Sequence, residues 1–406
     1  MSAKVTSVND RRVVNLFEVV PRRLLGAICL LLLCGILVAG LWPFRAPRNE
    51  VSWSSDGSGL LFGEYGSIVS SGAFKANESK EGAPCSLEIW LQPSLDYSGT
   101  FLAYYWPEDD VVPFKLWQSH DYLGIQRADL DQFHRAERTH VYVGDFFRYG
   151  KSVFLTISSG PAGTTVYADG LLTTKFPDFR FSTQDLTGQL LLGNAPRGPN
   201  PWSGQLKGLA VYDRELTAGE VSEHYGNWTK NTQTDLAKSE GLVALYLFNE
   251  GKGSVVHNQM DSKTDLLIPK RFFILHEQFL RPVWNEFFPK TWSYWKDVGI
   301  NIAGFVPVGF FFCLYFAASG NVKRPLMVTV ILGFMISLTI EVLQAFLPTR
   351  DSGMTDLITN TSGTALGAMM CLSWFARKEL EQPQHRIKRQ LRVPVSKKLI
   401  RPRDND

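Results

Sequence analysis

Cysteine is scarce in this sequence. There are five in 406 residues; Cys29, Cys34, Cys313 and Cys371 lie inside apolar runs, and Cys85 has no partner nearby. That excludes a disulfide-stapled scaffold. A surplus of one charge is also missing. The net charge of +3 combines +3 over residues 1–23, −5 over 45–296, −1 over 297–376 and +6 over 377–406. The basic residues flank apolar runs and do not cover a folded surface, so a nucleic-acid partner is excluded. No nucleophile elbow, metal-ligand cluster or phosphate loop is present. An aromatic content of 13% excludes disorder for most of the chain.

What the sequence does have is long apolar runs. Four segments, 24–43, 298–318, 325–347 and 357–375, approach the ~20 residues a helix needs to cross a bilayer. The first is longer than a signal-peptide core and Val38-Ala39-Gly40 is a weak cleavage site, so an uncleaved anchor is expected. Arg11, Arg12, Arg22 and Arg23 precede it, Lys323-Arg324 separates the second and third spans, and the tail 377–406 is basic. Placing basic clusters inside predicts a multi-pass protein of the cell (plasma or inner) membrane with both termini cytoplasmic. Residues 1–23 and 377–406 are then cytoplasmic and 49–270 extracytoplasmic. Residues 271–296 mix Phe272, Phe273, Phe279, Trp284, Phe287, Phe288, Trp292 and Trp295 with Arg271, Arg281, Lys290 and Lys296, and include Glu277 and Glu286. This composition suits the headgroup layer, and a linker packed on the preceding domain is the alternative.

Residues 49–270 read as short strands broken by turns. Cys85, Leu87, Ile89 and Leu91 alternate with Ser86, Glu88, Trp90 and Gln92, as in a half-buried strand, and Asp169-Gly170 is a hairpin signal. The pattern predicts an all-β sandwich or jelly roll. Val166-Tyr167-Ala168-Asp169-Gly170, Leu191-Leu192-Gly193-Asn194, Trp202-Ser203-Gly204-Gln205-Leu206 and Leu209-Ala210-Val211-Tyr212-Asp213-Arg214-Glu215-Leu216-Thr217 resemble a laminin-G-like, concanavalin A-like jelly roll over about 49–228. Leu242–Phe248 resembles the strand that usually opens such domains, so a late strand is expected to close this one. The resemblance implies binding of glycans or proteins, sometimes with calcium at loop carboxylates. Asp109, Asp110, Asp121 and Asp129 are the candidates, but their spacing forms no metal site, and no cofactor is expected. The Glu-x-Asp-x-x-Glu strand of glucanases on this fold is missing, and with it the paired carboxylates of glycoside hydrolysis.

Within 297–376 the polar residues gather at one depth. Asp297 and Asn301 open the second span, Glu341 and Gln344 close the third, Arg350, Asp351 and Asp356 lie in the following loop, and Asn360 is one turn into the fourth. Ionisable groups at such places face a protein interior or a water-filled cavity. Asp-x-x-x-Asn-x-x-Gly occurs twice, at Asp297–Gly304 and Asp356–Gly363, and Asn360, Gly363, Thr364 and Gly367 share a helix face. Asn301-Ile-Ala-Gly-Phe-Val-Pro307-Val-Gly309, Glu341-Val-Leu-Gln344-Ala-Phe-Leu-Pro-Thr-Arg350 and Asp356-Leu-Ile-Thr-Asn360-Thr-Ser-Gly363-Thr-Ala-Leu-Gly367 resemble the VanZ-like family, named for a glycopeptide-resistance protein of bacterial envelopes. Members usually have another hydrophobic helix before the Asn-x-x-Gly-Phe-x-Pro motif, where 271–296 stands here.

Three function classes fit these residues. One is an envelope binding protein, with a jelly roll that takes a glycan or protein partner and a membrane-level pocket that takes a lipid headgroup or lipid-linked cell-wall precursor. Asp297, Asn301, Glu341, Gln344, Arg350, Asp351, Asp356 and Asn360 are the candidate pocket residues. Another is an adhesive membrane protein in which the polar groups only hold helices together. The third is an enzyme on a lipid-linked substrate with Glu341 as base, since a desolvated carboxylate has a raised pKa.

Overall fold

A computed structural model describes residues 21–75, 82–94, 99–130, 136–198, 200–230, 233–276, 279–283 and 292–390. Arg11 and Arg12, Glu277, the segment 284–291 with Trp284, Glu286, Phe287, Phe288 and Lys290, and the tail 391–406 lie outside the described residues. The chain divides into two compact units. One comprises Pro43–Gln278 and Ala345–Asp351, the other Met1–Trp42, Phe279–Gln344 and Ser352–Asp406.

The first unit is a sandwich of two antiparallel sheets. Its strands are β1 (Val51–Trp53), β2 (Leu60–Phe62), β3 (Ile68–Ser70), β4 (Cys85–Pro93), β5 (Gly99–Trp106), β6 (Val111–Ser119), β7 (Tyr122–Leu130) and β8 (Ala136–Val143). They continue as β9 (Val153–Gly160), β10 (Gly163–Ala168), β11 (Leu171–Phe176), β12 (Gln189–Leu192), β13 (Gly204–Tyr212), β14 (Leu242–Tyr246), β15 (Val255–Val256) and β16 (Leu266–Leu267). One sheet runs β1-β2-β13-β4-β9-β10-β11, with β14 also on β13; the other runs β15-β16-β3-β12-β5-β6-β7-β8. Leu87, Ile89, Leu91, Leu155, Ile157, Leu190, Leu192, Leu206 and Leu209 fill the space between them. The expected late strand closes the fold: Leu209 lies opposite Tyr246 in antiparallel register. Asp169 and Gly170 both have positive φ, 52° and 79°, which is the two-residue turn that matches strand twist.

Strand β4 departs from the half-buried expectation, because both of its faces are covered. Helix α2 (Ala218–Thr229) follows the sandwich, and Val221 and Trp228 pack with Phe154, Tyr212, Leu236 and Leu245 into a second core on the outer side of the sheet. The helix starts at a capping box: Thr217 Oγ1 accepts from the Glu220 N–H, and the Glu220 carboxylate accepts from the Thr217 N–H at 2.8 Å. Residues 271–276 also differ from an interfacial segment. Phe272 is buried edge-on against Tyr65, and its N–H donates to Pro47 O at 3.1 Å. A phenylalanine within reach of an apolar site gains more from burial there than from the water boundary.

The second unit contains α1 (Arg22–Leu41), which precedes the sandwich in the chain, and α3 (Trp292–Ser319), α4 (Pro325–Gln344) and α5 (Met354–Gln390). Helices α1, α3 and α4 are long and apolar enough to cross a membrane. The expected fourth span lies inside α5, which falls outside that set because Thr359, Asn360, Thr361, Ser362 and Thr364 crowd its first turns. Arg22 donates to Ala318 O at 2.9 Å, so the start of α1 meets the end of α3. Close backbone contact joins α3 to α5. A Cβ on Gly309 would lie 2.0 Å from Thr364 O, one on Gly363 2.3 Å from Ile302 O, and one on Gly367 2.0 Å from Val306 O.

Candidate functional site

The polar residues of the helical unit meet where α3 and α5 begin and α4 ends. Asn301 Nδ2 on α3 donates to Asp356 Oδ1 on α5 at 2.7 Å. Glu341, one turn before the end of α4, is only 1% exposed, and its Oε2 accepts the Gly353 N–H at 2.8 Å. That bond ties α4 to the residue just ahead of α5. The strand-like pair 281 and 353 continues the connection, with Arg281 N–H donating to Ser352 O at 2.8 Å and Met354 N–H to Arg281 O at 3.0 Å. Asn360 Nδ2 donates to Ser337 Oγ at 3.0 Å, and Gln344 Nε2 to Gly40 O at 2.9 Å, which brings in the end of α1.

Five of the eight expected residues, Asn301, Glu341, Gln344, Asp356 and Asn360, therefore take part in bonds between elements of this unit. Asp297 is exposed on α3. Arg350 and Asp351 belong with 345–351 to the other unit, where the Arg350 N–H donates to Leu347 O at 2.9 Å. The sequence reading missed Ser337 and Ser352. Ser337 was within reach, since it sits four residues before Glu341 on the same helix face. The two repeated glycines are not equivalent: Gly363 touches Ile302, whereas a Cβ on Gly304 would meet nothing within 4 Å. Among the described residues of this unit, three buried side-chain polar atoms find no hydrogen-bond partner: Asn360 Oδ1, Gln344 Oε1 and Thr355 Oγ1. Each such atom costs about 1–3 kcal/mol when desolvated without a partner.

In the β unit, the covering of β4 buries Glu88 completely. Its carboxylate accepts from His224 Nδ1 at 2.9 Å, Tyr212 Oη at 3.0 Å and Trp228 Nε1 at 3.3 Å. Burial and the charge of Glu88 push the Tyr212 phenol far up, so it remains a donor. This cluster is saturated and anchors α2. Of the four loop aspartates, Asp110 pairs with Arg197 at 2.6 Å and accepts from the Tyr105 hydroxyl at 2.8 Å. The side chain of Asp129 lies outside the described residues. A cleft of about 640 Å³ opens beside Trp106, Glu108, Asp109, Gln184, Thr187 and Gln189.

Among solved structures, the chain is similar to a heptameric SAP-like pentraxin from Limulus polyphemus, at 15% identity over 39% of this chain and 75% of that one, TM-score 0.30. It is also similar to the binding domain of botulinum neurotoxin DC in complex with rat synaptotagmin II, at 11% identity over 45% of this chain and 46% of that one, TM-score 0.32. A third is a candidate carbohydrate-binding protein from Bacteroides ovatus, at 13% identity over 55% of this chain and 58% of that one, TM-score 0.35. The chain thus spans about half the length of the last two. No curated protein matches it. Two family models do: residues 72–222 match Laminin_G_3 of the concanavalin A-like lectin/glucanases superfamily, and residues 241–376 match VanZ/LLP1. The VanZ match begins earlier than the membrane motifs and takes in β14 to β16, which fold with the sandwich. The protein therefore carries a laminin-G-like, concanavalin A-like jelly roll followed by a VanZ-like membrane domain.

Proposed function

We propose that this protein is an envelope binding protein. Its jelly roll takes a glycan or protein partner, and the polar centre of its helical unit binds a lipid headgroup or lipid-linked envelope precursor. The observation that carries the second half is the Glu341 cluster. In the same helical unit the buried Asn360 Oδ1 and Gln344 Oε1, which find no hydrogen-bond partner, offer acceptors to a donor-rich headgroup, such as an ammonium or sugar hydroxyls. The lectin-like fold supports the first half. The multi-pass topology with cytoplasmic termini is part of the same reading.

The test is mass spectrometry of lipid extracted from the purified full-length protein. The parent should retain a stoichiometric polar lipid, and Glu341→Gln, which keeps shape and loses charge, should retain markedly less. Equal retention by both would remove Glu341 from any lipid site. A second reading, helix gluing, is favoured by the Asn301–Asp356 and Glu341–Gly353 bonds. It expects no specific lipid in either protein and a lower thermal midpoint for Glu341→Gln.

A further inference from the structure

The outer face of β6, β7 and β8 carries side chains that the fold does not need for its core. Antiparallel register sets Trp117 opposite Gly124 and Gly124 opposite Tyr142, with Lys115, Gln126 and His140 in the next row and Arg138 beyond. Cross-strand neighbours lie about 5 Å apart and successive rows about 7 Å apart. Gly124 has a specific task here. A Cβ on it would come within 2.1 Å of the Trp117 indole, so the glycine lets that ring lie down on the strand. Tyr142 stands edge-on to Trp117 at 5.5 Å and 85°, His140 packs edge-on to Tyr142 at 5.3 Å, and Tyr142 remains 50% exposed.

Among the described residues the charge on this face is one-sided. Lys115 Nζ lies over the Trp117 ring at 4.8 Å. Burial first, and then the charge of Arg138, pull the Lys115 ammonium below its ordinary value. Among the described residues neither Lys115 nor Arg138 has an ion-pair partner within 4 Å, so an arriving anion relieves a repulsion that the fold leaves in place. Aromatic rings beside uncompensated cations suit a ligand with an apolar ring face and a carboxylate.

We infer that this face binds an acidic saccharide, with a sugar ring stacked on Tyr142 beside Trp117 and its carboxylate received by Lys115 and Arg138. The inference rests on reading the β unit as a glycan binder and gives that reading a place and a ligand class. Guanidinium geometry favours a bidentate carboxylate at Arg138, and Gln126 and His140 can serve ring hydroxyls.

The experiment is a binding titration of the full-length protein in detergent with oligogalacturonate, with a neutral galactose oligosaccharide of equal length alongside. The parent should prefer the uronate. Tyr142→Ala should weaken binding of it about tenfold, the loss of one stacking contact. Arg138→Gln should abolish the preference for uronate over the neutral sugar while weaker binding persists. If the parent binds the uronate and both variants match it, this face is overturned and the glycan reading stands with its site elsewhere, the Trp106 cleft being the next place to mutate. Equal binding of the neutral and acidic sugars by the parent overturns the acidic class. If the parent binds neither, the glycan reading falls and this inference with it.

Discussion

Glu88 and His224 form a buried acid–base pair in which two effects oppose one another. Desolvation pulls the histidine pKa down, but its hydrogen bond to Glu88 and that carboxylate's charge, with smaller help from Glu220 and Glu223, hold it above the ordinary 6.5. A raised folded pKa means that the pair's contribution to stability is complete below about 6.5 and is lost as pH rises through the shifted value. The thermal midpoint of the β unit should therefore fall as pH rises above about 6.5, and His224→Gln should flatten that slope. A gap between parent and variant that stays constant over this range would reject the charge coupling. Glu88→Ala should be far more damaging, by about 3–5 kcal/mol, because it strands three donors inside the sheet–helix interface. Glu341 is as buried as Glu88, and its Oε2 accepts a backbone N–H, that of Gly353, at 2.8 Å.

Between helices, the decisive contacts are made by residues with almost no side chain. Gly309, Gly363 and Gly367 let α3 and α5 approach until backbone meets backbone, and Gly333 on α4 admits the Thr364 side chain. In a membrane, where apolar surface gives helices no special reason to associate, such close packing is the main source of affinity. Gly367→Ala should cost about 1–3 kcal/mol by overpacking against Val306. Gly304→Ala on the neighbouring helix should be neutral or stabilise by up to about 1 kcal/mol, since open space surrounds it and alanine is the better helix former. Thermal melting of the two variants in one detergent checks the contrast, and equal losses would contradict the α3–α5 contact. The glycine face of α5 was legible in the sequence as a small-residue stripe. Which glycine touches which carbonyl was not, because the sequence repeat makes Gly304 and Gly363 look alike.

At the scale of the whole molecule, the helix directions allow one membrane threading to be tested. Reporter fusions at residues 230 and 352 should read as extracytoplasmic, and fusions at 322 and 390 as cytoplasmic. A cytoplasmic signal at 230 would overturn the threading and, with it, an outward-facing jelly roll. The sequence by itself determined the elements and the two domain types. Apolar runs of the right length specify membrane helices, alternating residues specify strands, and Asp169-Gly170 specifies its turn, because each depends only on neighbours a few residues away and on the surrounding solvent. Counting along the helices put Asp297, Asn301, Glu341, Gln344, Arg350, Asp351, Asp356 and Asn360 at one depth, but counting could not show that Asp297 is exposed or that Arg350 and Asp351 belong to the other unit. Tertiary structure alone decided who meets whom. Asn301 finds Asp356 across 55 positions, Arg197 takes Asp110 across 87, and His224 reaches Glu88 across 136. It also turned β4 from a half-buried strand into one buried along most of its length by laying α2 over it, and put Trp117 on Gly124. No periodicity encodes such pairings, because they follow from how whole layers dock and from which buried polar groups must then be satisfied.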